Sequence, residues 1–128
     1  MTHTDDGVTL VTRAEIERAS ARGGSFLETP EYRLGLARRE AGGDAEVHLA
    51  DTDIFHVLEG SAVIVTGGEM VEPREVAPNE IRAGSVRGGV DQVVSAGDVI
   101  VIHRGTPHWF REVTAAPCVY LVVKSTRS

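Results

Sequence analysis

The stretch from Gly97 to Phe110, "GDVIVIHRGTPHWF", decides how the rest of the chain is read. Val99 to Ile102 make an apolar run of strand length, and Gly105 and Pro107 break it. His103 and His108 flank the break, and Trp109 and Phe110 follow. A strand that delivers imidazole to its apolar end is either plain packing around a hydrogen-bonded histidine or one wall of a pocket. The two readings differ in what they ask of the other histidines.

Strand signals spread in both directions from this stretch. Downstream, "CVYLVVK" at 118–124 reads as the last strand, and upstream 91–95 and 98–103 read as two more. "DIFHVLEGSAVIVTGG" from Asp53 to Gly68 reads as two strands joined at Glu59–Gly60, with Gly67–Gly68 turning the chain again. "YRLGLARRE" at 32–40 alternates Tyr32, Leu34 and Leu36 against Arg33, Gly35 and Ala37, the period of a strand. "AGGD" at 41–44 interrupts, and 45–50 form a short strand. Before these, 8–11 make a short strand or arm, and Thr12 with Glu15 forms a capping box that predicts one helix over 13–22, stopped by Gly23. Many short strands with glycine-rich turns indicate an all-β sandwich or closed barrel.

Residues 69–90 resist this scheme. They hold Pro73 and Pro78 with little periodicity, and are expected as a long inserted loop, either a surface meander or a lid over a pocket mouth. Arg82 and Arg87 within it are candidates for salt bridges or for an anionic ligand. The expected plan is one domain over 1–128, with an arm and helix at about 1–24 and a barrel at about 32–124.

Composition narrows the function. The 128 residues carry a net charge of -6, against the cationic face that nucleic acid requires. Cys118 is the only cysteine, which excludes an internal disulfide and a CxxC motif and fits a small buried hydrophobe. No apolar run reaches the ~18 residues of a membrane span, and "MTHTDDG" lacks the order of a secretion signal. A cytoplasmic protein is expected, with neither nucleic acid nor membrane as partner.

Five histidines are present, and four fall in two clusters, "EVHLADTDIFHVLEG" and "IHRGTPHWF". His3 lies near the terminus and receives no role. Glu46 and His48 are two apart on a strand and share a face, Asp53 opens the next strand, and His108 follows the later turn. This spacing resembles the two motifs of the cupins. The first motif is met by Glu46, Val47, His48, four residues, Asp53, six residues and Gly60; the second by Gly97, five residues, His103-Arg104-Gly105, two residues and His108. Glu46 stands where the first histidine is usual, Asp53 where a glutamate is, His103 where proline is, and Glu112 where asparagine often closes the second motif.

The resemblance implies a cupin jelly-roll β-barrel with one short N-terminal helix, covering roughly 32–124, and a homodimer, for which the apolar "VIVI" strand is suited. It also implies a divalent transition metal, Fe, Mn, Zn or Ni, held by His48, His108 and Asp53. Asp53 is one methylene shorter than glutamate, so His56 is the alternative to it, although strand alternation sets the two on opposite faces unless a bulge intervenes. Glu46 is a fourth ligand, a catalytic proton shuttle or a solvated carboxylate. His56 and His103 otherwise read as structural or exposed, and Phe55, Trp109, Phe110 and Tyr120 as barrel core. The functional expectation is a metal-dependent enzyme of isomerase, lyase or cyclase type acting on a small molecule. Its alternatives are a non-haem Fe(II) dioxygenase and a non-catalytic small-molecule binding protein.

Overall fold

The computed structural model describes residues 3–5 and 7–126, so the ends of the expected domain and Asp6 of the arm lie outside the described residues. Strands β1 (His3–Asp5) and β2 (Val8–Leu10) pair as a small ribbon. Helix α1 (Arg13–Ala19) follows, shorter at its C-terminal end than the sequence suggests. Its N-cap is the expected Thr12, whose hydroxyl accepts from the Glu15 N–H at 3.3 Å. The helix ends because Gly23, at φ +76°, brings its N–H back to the Ala19 carbonyl, and α1 has too few apolar residues to extend against the sheet.

The remaining strands are β3 (Gly24–Glu28), β4 (Tyr32–Arg39), β5 (Ala45–His48), β6 (Asp51–Thr66), β7 (Glu69–Met70), β8 (Arg74–Ala77), β9 (Glu80–Ala83), β10 (Val86–Arg87), β11 (Val90–Ser95), β12 (Val99–Ile102) and β13 (His108–Thr126). All their pairings are antiparallel. Two long strands, β6 and β13, pair along most of their length and organise the sheet, whose order is β11-β6-β13-β5-β9-β8, with β12 on β6 and β3-β4 on β13.

The two strands expected on either side of Glu59–Gly60 are one continuous strand that bends. Asp53, Phe55 and Val57 point inward before the bend, and Ala62 and Ile64 after it, so the extra residue at Glu59–Gly60 switches the inward parity from odd to even. β13 shifts register opposite, between Ala115 and Val119. This paired bulge wraps the sheet around an interior of Phe55, Val57, Ala62, Ile64, Val94, Ile102, Phe110, Cys118 and Tyr120. Three rings form its centre: Phe55 and Phe110 lie 4.8 and 5.2 Å from the Tyr120 ring. Arg39 donates to the Tyr120 hydroxyl at 2.9 Å and lies over Phe110, which satisfies the one polar atom of that trio. Cys118 is fully buried here, and burial pushes its thiol pKa up, as for an inert packing residue. Trp109 departs from the expected core: it packs on a second cluster of Ala45, Val65, Ala83 and Val86 on the other face of the sheet.

The expected long loop at 69–90 is corrected. The segment is a succession of strands, β7 to β10, with β9 in register against β5 and β8 against β9. Strands of two to four residues are too short to show period two, and Pro73 and Pro78 sit outside them. On β12 the two faces separate as expected of "VIVI": Ile100 and Ile102 meet the core, while Val99 and Val101 are exposed.

Candidate metal centre

Three strands bring polar inward residues to one end of this interior. β5 alternates, so Ala45 packs on the second cluster while Glu46 and His48 face the barrel. His108 opens β13 directly opposite Glu46, and Asp53 lies on β6 in the inward row of Phe55 and Val57. His48, Asp53 and His108 are 7%, 1% and 4% exposed, a depth at which unpaired polar groups are costly.

Their atoms converge. His48 Nε2 lies 3.5 Å from Glu46 Oε2 and 3.4 Å from Asp53 Oδ2. His108 Nε2 lies 3.8 and 3.5 Å from the same two oxygens. Ligand atoms of Glu46, His48 and His108 all fall within 4.8 Å of one another. His108 Nε2 and Asp53 Oδ2 are buried with no hydrogen-bond partner.

The outer nitrogens set the tautomers. His108 Nδ1–H donates to the Thr106 carbonyl at 3.1 Å, and His48 Nδ1–H donates to Glu80 Oε2 at 2.5 Å. His108 Nε2 is thereby left as a lone pair facing carboxylate oxygens, while a protonated His48 donates Nε2–H toward Glu46; loss of that proton opens both Nε2 atoms to a cation. For bonds of about 2.1 Å, neighbouring ligand atoms of a tetrahedral centre stand about 3.4 Å apart, so Glu46, His48 and His108 lie close enough to hold one divalent ion, with Asp53 Oδ2 3.4 and 3.5 Å from the two rings.

The charges of the cluster shift the ionisation of its members. The hydrogen bond with His48 is the main force holding the Glu46 pKa down to about 2, against burial and with help from the charges of His48, His108 and Arg82. Burial opposes a charged His48 ring, but Glu46, Asp53 and Glu80 together outweigh it and raise the pKa. Burial dominates at His108 and lowers it, leaving that ring neutral.

Two further residues complete the site, and sequence reasoning did not single them out. Glu80 stands opposite His48 across β5 and β9. Lys124 stands opposite Asp53 across β6 and β13, with Nζ 2.7 Å from Asp53 Oδ1 and 3.4 Å from His48 Nε2. Arg82, on β9, reaches Glu46 at 3.4 Å, the salt-bridge alternative of the two expected for it. His56 does not join the cluster: alternation turns it to the opposite face from Asp53, and no bulge intervenes between them. His103 is exposed. Asp53 Oδ2 lies 3.4 and 3.5 Å from the His48 and His108 Nε2 atoms.

Residues 33–128 match the cupin family. The chain belongs to that family. Solved structures agree on the fold of this cupin. The Bacillus halodurans protein BH2720 superposes with a TM-score of 0.66 at 18% identity, covering 93% of this chain and 82% of that one. KdgF from a Halomonas species gives 0.59 at 17% identity, covering 83% and 78%. A cupin-2 domain protein from Shewanella frigidimarina gives 0.53 at 18%, covering 82% and 79%. No curated protein matches the chain. The architecture is thus the jelly roll of the cupins, a family whose members commonly bind divalent metals. No helix among the described residues is long and apolar enough to cross a membrane.

Glu80 carries a prediction of its own. Glu80→Gln keeps the shape but weakens the hold on His48 Nδ1–H, and loss of such an outer partner costs about ten- to a hundredfold in metal affinity. Zinc titration of the variant by calorimetry checks this; an unchanged affinity would show that Glu80 does not orient the ring.

Proposed function

We propose that this cupin holds one divalent transition metal through His48, His108, Asp53 and Glu46 and acts on a small-molecule metabolite as an isomerase, lyase or cyclase. The observation that carries this reading is the pair of buried, partnerless atoms, His108 Nε2 and Asp53 Oδ2, facing each other at 3.5 Å. Packing alone leaves both unsatisfied, at a cost of about 1–3 kcal/mol or more for each. A bound ion would supply Lewis acidity toward a ligand oxygen.

The chain's own residues do the rest. Thr106 and Glu80 fix the two rings. With a pKa near 2, Glu46 stays ionised at any working pH, which suits a ligand better than a proton shuttle, since general bases work best with a pKa near the operating pH. A cavity of about 250 Å³ among β3, β4 and β13 can admit a small ligand, and of the residues around the cluster it is bordered by Lys124 alone.

One observation favours a second reading, a non-catalytic small-molecule binding protein: Lys124 already neutralises Asp53 without any metal. Calorimetric titration with Zn(II) and Mn(II) separates the two. The metal reading expects one ion per chain at pH 8. It expects weaker binding at pH 6, because the proton held by the raised pKa of His48 must be displaced. Absence of any stoichiometric ion would defeat the metal reading in favour of the binding protein, and pH-independent affinity would put the ion elsewhere.

A further inference from the structure

Of the thirteen basic residues in the chain, twelve are arginine and one is lysine, and that lysine is Lys124. Its place is equally particular. It continues the inward row of β13 after Tyr120 and Val122, and its Nζ sits among the atoms that face one another across the cluster, 2.7 Å from Asp53 Oδ1 and 3.4 Å from His48 Nε2. Asp53 is 1% exposed, so in the metal-free protein this ammonium is its counter-ion. A compact ammonium on a flexible stem suits a counter-ion that can withdraw.

Lys124 holds Asp53 through Oδ1 and leaves Oδ2 facing the imidazoles, but its contact with His48 Nε2 is incompatible with an ion there. The His48 Nε2 lone pair cannot face an ammonium and bind a metal at once, and two cations a few ångströms apart in a buried site repel strongly. We infer that Lys124 is a resident cation that a divalent metal must displace, so that seating of the ammonium and binding of the metal are mutually exclusive. This rests on the metal reading above. The ammonium has somewhere to go: a 250 Å³ cavity is walled by Lys124 itself, and its lining offers the Glu28 carboxylate beside Arg33. Lys124 thereby sets the affinity of the site. Ions that bind carboxylates and imidazoles weakly do not repay the broken pair, and ions that bind them strongly do.

The test uses zinc alone, on wild type, Lys124→Met and Lys124→Arg. Removing the competitor leaves Asp53 buried without its counter-ion, so Lys124→Met is expected to melt earlier without metal and to bind zinc about ten- to a hundredfold more tightly. Lys124→Arg keeps the charge and is expected to show no such gain. Should Lys124→Met fail to fold, labelling of the wild type decides. Lys124 is the only ε-amine, so its acetylation by acetic anhydride, read by peptide mass spectrometry, is expected to speed up several-fold on adding zinc. Zinc binding to wild type with equal or weaker affinity in Lys124→Met, or labelling unchanged or slowed by zinc, overturns the inference while leaving the metal site intact. Absence of zinc binding in all three proteins overturns the metal reading itself, and this inference with it.

Discussion

Replacing His108 by alanine is expected to lower divalent-metal affinity by two to three orders of magnitude while leaving the metal-free barrel folded. Structural zinc sites gain about 10–16 kcal/mol in total, so a share of about 3 kcal/mol per ligand corresponds to that loss. The second half of the expectation discriminates. A core histidine kept for packing would, on removal, destabilise the protein with or without metal. Here His108 Nε2 has no partner and faces two carboxylates, so its removal from the metal-free protein costs only the Thr106 hydrogen bond, about 1 kcal/mol, and some packing. Thermal melts with and without zinc read both quantities. A variant that melts much earlier yet keeps wild-type zinc affinity would return His108 to the core.

The second large effect lies away from the site. Gly60→Ala is expected to destabilise the fold by about 4 kcal/mol, lowering the melting midpoint by roughly 15 °C for a chain of this size. Gly60 sits at φ +78° where β6 bends, and a Cβ there would run into the carbonyl oxygens of Ala115 and Pro117 on β13. Both strands would have to separate where the core is wrapped. Gly97→Ala is the control. It shares the positive φ, at +99°, but a Cβ would meet nothing within 4 Å, so only the backbone strain of about 1–2 kcal/mol is expected. Equal losses at the two positions would show that the close approach of β13 contributes nothing.

These two glycines also show how far the sequence could be read. Both fall in the motif spacing that suggests a cupin, and the family match and the β architecture agree with that suggestion. Spacing alone could not tell that Gly60 bends a continuous strand, because the residues that make the bend necessary lie more than fifty positions away on β13. The four candidate ligands could be picked because each sits in a motif register, and the fold does gather Glu46, His48, Asp53 and His108 at one end of the barrel. Glu80 and Lys124 belong to no motif. Each reaches the site only through cross-strand register, Glu80 opposite His48 and Lys124 opposite Asp53, and register is invisible until the strands are paired. Glu80 was further hidden by its segment, whose strands are too short to announce themselves. Lys124 did carry a signal, as the single lysine in a chain otherwise furnished with arginine.

The proposed divalent ion sits among His48, His108, Asp53 and Glu46. Crystals of zinc-loaded protein, with anomalous scattering recorded at the zinc edge, test it most directly. One strong peak within about 2.0–2.2 Å of both Nε2 atoms and of at least one of the two carboxylates is the expected result. A map with no peak at the cluster, or with the peak elsewhere and Lys124 still seated on Asp53, would contradict it.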